Sequence, residues 1–205
     1  MNDAVLTGTD GRPLAAKGQR TRARLLEAAE QVFAQLGYND ASIVKITEAA
    51  GVGQGTFYLY FQGKAEIFDQ LVRDLNRRVR RAMTEAAQQG RTRIESELLG
   101  FRAFFRFTAE HPALYRIIRQ AEFASPETLQ FHYDRLVEGY VAALERAMEA
   151  GEIERRDPEV LAWALMGIGE LIGMRYILWA EGNEVSEQVL GEMERIITCI
   201  LEPRN

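Results

Sequence analysis

Residues 51–61 read Gly-Val-Gly-Gln-Gly-Thr-Phe-Tyr-Leu-Tyr-Phe, and they carry the side chains best suited to touching another molecule. On a short helix, Phe57 and Phe61 turn inward, Val52 anchors the turn, and Gln54, Thr56, Tyr58 and Tyr60 are left facing outward. Aromatic rings exposed beside small polar groups are costly on an idle surface, so they mark a contact face. Gly55 lets the backbone approach that contact closely, and the unpaired N–H groups of a helix start suit a phosphate. Catalytic chemistry has no comparable support. The chain has no nucleophile elbow and no phosphate loop. One cysteine, Cys199, and 2 histidines argue against a disulfide, a Cys-rich zinc site or a His-built metal centre. His111 and His132 lack evident acid–base partners, so neither an enzyme, a resident metal nor a cofactor is expected.

The elements that must hold this face follow from apolar spacing and breakers. Residues 1–17, with Gly8, Gly11 and Pro13, are expected to be a mobile arm. Leu25, Ala29, Val32, Phe33 and Leu36 predict a helix from Arg20 to Leu36, ended by Gly37. Ser42 is expected to cap a short helix with Ile43, Ile46, Ala49 and Ala50 inward, broken by Gly51. A very short helix follows over residues 54–60, then a long one from about Lys64 to Gln89. Three helices around one glycine turn make a helix-turn-helix head. Helical spacing persists to the C-terminus, with starts near Arg91, Pro112, Pro126, Asp157 and Glu184 and no period-two alternation. The expectation is all-α: a three-helix head plus a larger helical body, about nine helices in all. The boundaries expected are 1–17 arm, 18–64 head and 65–205 body. The 205 residues carry a net charge of −5, unevenly: residues 1–64 hold 7 basic and 6 acidic side chains, which leaves the deficit to the body. A head less acidic than its body suits DNA. Val160–Ala180 is the one stretch apolar enough to suggest a membrane span, but Glu170 and Arg175 interrupt it. It is expected to be packed against protein, with no membrane partner.

Residues 42–66, from Ser42 through the glycine turn to Lys64 and Glu66, resemble the signature of the TetR/AcrR family of regulators. The resemblance implies that double-stranded operator DNA is the partner. It implies that Tyr58, Tyr60, Lys64 and Ser42 meet phosphates, and that Gln54 and Thr56 reach base edges. A Gln pairs bidentately with adenine and a Thr methyl meets thymine. Lys45 is expected at phosphate or base, and Gly55 on the same face. Gly53 and Gly63 depart from the pattern, where Ser or Thr is frequent. Lys17, Arg20, Arg22 and Arg24 either enter a minor groove, lie on phosphates or form a solvated basic end.

The resemblance further implies a body that binds a small effector and forms a homodimer in the cytoplasm. Large side chains could line an apolar pocket, namely Phe101, Phe105, Tyr115, Phe123, Tyr140 and Trp163, with Arg119 and Glu170 as polar members. Ordinary core packing is the alternative for each. Glu170 and Arg175 either take part in helix–helix salt bridges or face a ligand. Arg102, Arg106, Arg116 and Arg119 either answer nearby Glu or form a mouth for an anion such as an acyl-CoA. Gly167, Gly169 and Gly173 suggest close approach between helices. Ile168, Ile172, Trp179, Met193 and Ile197 are expected at a four-helix dimer interface. The function implied is a repressor released from a palindromic operator by a small apolar or acyl-type molecule. An activator, or a ligand-independent DNA-binding protein, is the alternative.

Overall fold

The computed structural model describes residues 6–180 and 184–202. Nine α-helices are present among them: α1 Ala16–Asp40, α2 Ile43–Ala50, α3 Gln54–Phe57, α4 Lys64–Ala87, α5 Arg93–Glu110, α6 Ala113–Ala124, α7 Pro126–Glu149, α8 Pro158–Gly173 and α9 Glu187–Leu201. A single wide π-type turn, Met174–Leu178, continues α8. No strand occurs among the described residues; one isolated bridge joins Thr7 to Pro13. The all-α reading therefore stands.

The chain groups into two compact units, one up to Leu75 together with Arg116–Leu129, the other Asn76–Tyr115 together with the residues from Gln130 onward. This grouping differs from a boundary at residue 64, because most of α6 packs with the head. In the first unit Phe33, Ile46, Phe57, Phe61, Ile67 and Phe68 are fully buried. Phe33 meets Phe68 edge-on at 5.1 Å between ring centres. From α6, Arg116 donates to the Ala34 carbonyl at 3.3 Å and Gln120 to the Phe33 carbonyl at 3.5 Å. Asp69 of α4 accepts from Ser125 at 2.8 Å and from Thr128.

Two local expectations are revised here. α1 begins at Ala16, ahead of Arg20, and the chain remains helical on both sides of Gly37, whose φ of 77° breaks the run. The described stretch of the expected mobile arm is bonded; residues 1–5 lie outside the described residues. Leu14 N–H donates to Leu6 O at 2.8 Å and Gly8 N–H to Arg12 O at 2.9 Å, closing a small turn. Thr9 then donates its N–H to Leu59 O at 3.0 Å and its hydroxyl to Tyr58 O at 2.9 Å. The turn is thus fastened to the end of the α3 segment.

In the second unit Phe101, Phe105, Leu144, Leu161, Leu165, Ile177, Met193, Ile197 and Leu201 form one apolar core. Gly169 and Gly173 do not wait for a partner helix. A Cβ on Gly169 would lie 2.5 Å from the Phe101 ring, and one on Gly173 would overlap the Tyr115 hydroxyl. Both glycines make room for aromatic side chains of the same chain. Asn76 of α4 is buried and donates its amide to His132 of α7, at 3.1 Å to Nδ1 and 2.9 Å to the carbonyl. Burial holds that imidazole neutral, with its pKa pushed down to about 4. The helix Pro158–Leu178 is long and apolar enough to cross a membrane by length and composition. Within it Glu170 pairs not with Arg175 but with Tyr133, whose hydroxyl is 2.9 and 3.0 Å from the carboxylate oxygens.

Candidate nucleic-acid interface

The reading element is built by local rules. Ser42 Oγ accepts from Lys45 N–H at 3.3 Å and caps α2. Gly51 ends α2 at φ 62°, a left-handed conformation that a residue with a Cβ adopts only under strain. Ile46, Thr47 and Ala50 face inward, whereas Ala49, expected inside, is exposed and Ile43 is half-buried. α3 is shorter than expected. After Phe57 the chain tightens, with Leu59 N–H bonded to Thr56 O and Tyr60 N–H to Phe57 O, so α-geometry yields to a 3₁₀-like turn.

Phe57 and Phe61 have no exposed surface, while Tyr58 is 49% exposed. Gln54, Gly55 and Lys45 are exposed, and Thr56 and Tyr60 half-buried. The outward face therefore presents an amide, a bare backbone, a methyl-bearing hydroxyl and a phenol together. The Lys45 ammonium rests on Asp40 O at 3.1 Å.

Lys64 is placed otherwise than a phosphate ligand requires. Its ammonium donates to the carbonyls of Tyr38 at 2.8 Å, Ala41 at 3.0 Å and Asn39 at 3.3 Å. It also sits over the Tyr38 ring at 4.5 Å. All three N–H donors are spent on the C-terminal end of α1 and its cap, so Lys64 locks α4 to that end. Arg24 likewise caps α2 by donating to Ala50 O. Arg22 donates to Gln70 at 3.2 Å and lies over Phe61. Of the four basic residues considered for a groove, only Lys17 and Arg20 stay exposed on α1 with no contact of this kind described.

Comparison with known proteins bears on this geometry. Residues 25–71 match the family model described as bacterial regulatory proteins, tetR family. An HTH-type transcriptional regulator of Bacillus subtilis, YdgC, is 32% identical over 168 residues, covering 80% of this chain and 84% of its own. The chain belongs to the TetR family. A fatty acid metabolism regulator protein of Bacillus subtilis is 28% identical over 136 residues, covering 64% of this chain and 70% of its own. The transcriptional regulator FadR from Bacillus subtilis, solved in complex with stearoyl-CoA, shares the fold at a TM-score of 0.74. It is 20% identical and covers 89% of this chain and 99% of its own.

The remainder of this TetR-family chain distributes the expected effector residues widely. Phe101, Phe105 and Tyr115 are buried in the body, and burial pushes the Tyr115 phenol well above its usual range. Tyr140 lines a cavity of about 310 Å³ formed by α4, α5 and α7, and burial pushes its phenol up to about 12. Glu170 is held by Tyr133, whose ring meets that of Trp163 at 5.7 Å between centres. Trp163 is itself exposed. Arg119 and Phe123 fall in the first unit, and Phe123 is 87% exposed, so neither lines an interior pocket of the body. α6 turns its Ile117 and Ala121 face inward to the head and leaves Phe123 outside.

The four arginines expected at a mouth are split: Arg102 and Arg106 line one cavity with Phe105, whereas Arg119 falls with Arg116 in the first unit. Arg102 makes two bonds to Glu187, at 2.6 and 2.8 Å, and Arg116 belongs with the head. Sequence spacing did not bring together Arg80, Arg93 and Arg146, which share the Tyr140 cavity from three different helices. No local pattern could have joined them, because 66 positions of chain separate Arg80 from Arg146. At the expected dimer face, Met193 and Ile197 are core residues, 2% and 0% exposed. Ile168 and Ile172 are partly buried against that same core, and Trp179 alone of the five is largely exposed.

Proposed function

We propose that this TetR-family regulator is a cytoplasmic homodimeric repressor that holds a palindromic operator and releases it when a small apolar or acyl-type molecule enters the body. The observation that carries the DNA reading is the outward set Gln54, Gly55 and Tyr58 above a fully buried Phe57 and Phe61. Tyr58 serves a phosphate; Gln54 and Thr56 serve base edges; Ser42, Lys45, Gly55 and Tyr60 flank them. Lys64 supports this surface through the C-terminal end of α1. The relatives compared are regulators, which favours a binding protein over an enzyme.

Support for the dimer comes from an apolar stripe on α8 and its continuation. Val160, Trp163, Leu171 and Trp179 are exposed, as is Ile196 on α9. Spacings of three and eight residues put the first three on one helix face. Such a stripe needs cover, and a second copy of this chain supplies it with two-fold symmetry. That symmetry presents two reading helices to successive major grooves. The acyl-type effector is favoured by the fatty acid regulator among the relatives and by the stearoyl-CoA held in FadR. The effector acts through its different affinity for the DNA-competent and released states.

Gel-shift titration with palindromes from the upstream region tests the assignment. Gln54→Ala should weaken one A·T-containing half-site by about 1–3 kcal/mol and relax preference there. Unaltered binding by a combined Gln54→Ala and Tyr58→Phe variant would falsify the contact face.

A further inference from the structure

The cavity of about 310 Å³ in the second unit has a wall chemistry of its own. Three guanidinium groups, Arg80, Arg93 and Arg146, line it against one carboxylate, Glu97. Arg93 and Glu97 are both largely buried and paired with each other. The Arg93 Nε is nevertheless buried with no hydrogen-bond partner among the described residues. Arg80 and Arg146 have no acidic or hydrogen-bonding partner described at all. Burial lowers the Arg93 pKa from its usual value, and the nearby Arg146 guanidinium lowers it further. A buried donor left unbonded is costly unless something absent from the chain completes it.

The rest of the wall is mixed: Met83, Ala87, Leu136 and Ala143 form an apolar strip beside the polar Thr84, Gln88, Ser96 and Tyr140, and part of it is empty. Gly100 is buried in mid-α5, yet a Cβ there would meet nothing within 4 Å; Gly139 of α7 lines the same cavity and is equally open. A mid-helix glycine weakens its helix and is tolerated where it keeps space. At about 30 Å³ per heavy atom, the share of a water molecule in the liquid, the cavity takes roughly ten heavy atoms.

We propose that this cavity is the effector site, and that its occupant is a small amphipathic anion. Its carboxylate or phosphate head is held by Arg80, Arg93 and Arg146, and its tail of about eight carbons lies along Met83, Leu136 and Ala143. The regulatory meaning rests on the reading of this chain as an effector-released repressor; the binding itself does not.

Isothermal titration of the full-length protein with octanoate, octyl phosphate and the neutral octanol tests the site. Both anions should bind at least tenfold more tightly than octanol, and the tighter of the two identifies the head group. Arg80→Gln combined with Arg146→Gln should remove that preference at least tenfold while leaving the buried Arg93–Glu97 pair in place. Gly100→Leu, which has open space for its side chain, should block both anions. Octanol binding as well as the anions, or Gly100→Leu retaining them, overturns the proposal. Gel-shift on the same samples separates the two readings. Anion binding that leaves the operator occupied upholds the site and refutes effector release, whereas operator binding with no anion affinity refutes the site alone.

Discussion

Replacing Lys64 by Met separates a structural lysine from a DNA-binding one. The ammonium makes two close bonds and one longer bond to backbone carbonyls, at 2.8, 3.0 and 3.3 Å. A hydrogen bond to a charged group contributes about 1.5–3 kcal/mol net when fully made. Lys64 is only half-buried, so water can take over part of what is lost. The three bonds together are then valued at about 2–3 kcal/mol, and the Tyr38 ring adds roughly 0.5 kcal/mol. Met keeps the apolar stem, so little packing is lost. For a chain of this size each kcal/mol moves the melting temperature by about 2–4 °C, giving a drop of about 5–14 °C. Differential scanning calorimetry at fixed protein concentration reads this directly. The second readout is the salt dependence of operator binding. A lysine on a phosphate contributes about 0.9 to the slope of log affinity against log salt. With its donors held by Tyr38, Asn39 and Ala41, Lys64→Met should leave that slope unchanged. A variant as stable as the parent, with a slope reduced by about one for each head, would refute the lock and restore the phosphate contact.

Three further outcomes are expected. Gly169→Ala should destabilise the protein by about 1–2 kcal/mol in urea unfolding, since its Cβ would lie 2.5 Å from Phe101; in an open helix the same change would stabilise by up to about 1 kcal/mol. The buried His132, neutral in the fold with its pKa down at about 4, opposes folding only when protonated. Its contribution is fully present above about pH 6.5 and is lost as pH falls from there toward 4, at about 1.4 kcal/mol per unit, for a total of roughly 3 kcal/mol. His132→Gln should flatten that stretch of the stability–pH curve. Leu171→Glu places a charge on a side chain that is 61% exposed in the isolated chain. Light scattering should show the dimer shifting to monomer with the fold intact by circular dichroism, and an unchanged dimer would remove α8 from the interface.

Helix type and order were legible because each helix carries its own signals. Ser42 as a cap, Gly51 as a left-handed stop, Asp157–Pro158 as a start and the 3.6-residue apolar spacing are all local, and the structure uses each of them. The inward Phe57 and Phe61 and the outward Gln54, Gly55 and Tyr58 also follow from spacing on one short segment. The length of α3 was misjudged because propensity does not reveal where a last turn tightens.

What the sequence by itself determined about this protein is therefore the set of helices, the reading element and the family. Tertiary structure alone decided what each side chain meets. Lys64 has the right charge for a phosphate, but three carbonyls at the C-terminal end of α1 lie within its reach. Met193 and Ile197 have the right spacing for a dimer seam, but Phe101, Phe105 and Leu165 belong to the same core within the chain. Arg80, Arg93 and Arg146 show no pattern until α4, α5 and α7 bring them to one cavity. Periodicity assigns a residue to a face of its own helix; only the packing of helices far apart in sequence says what that face touches.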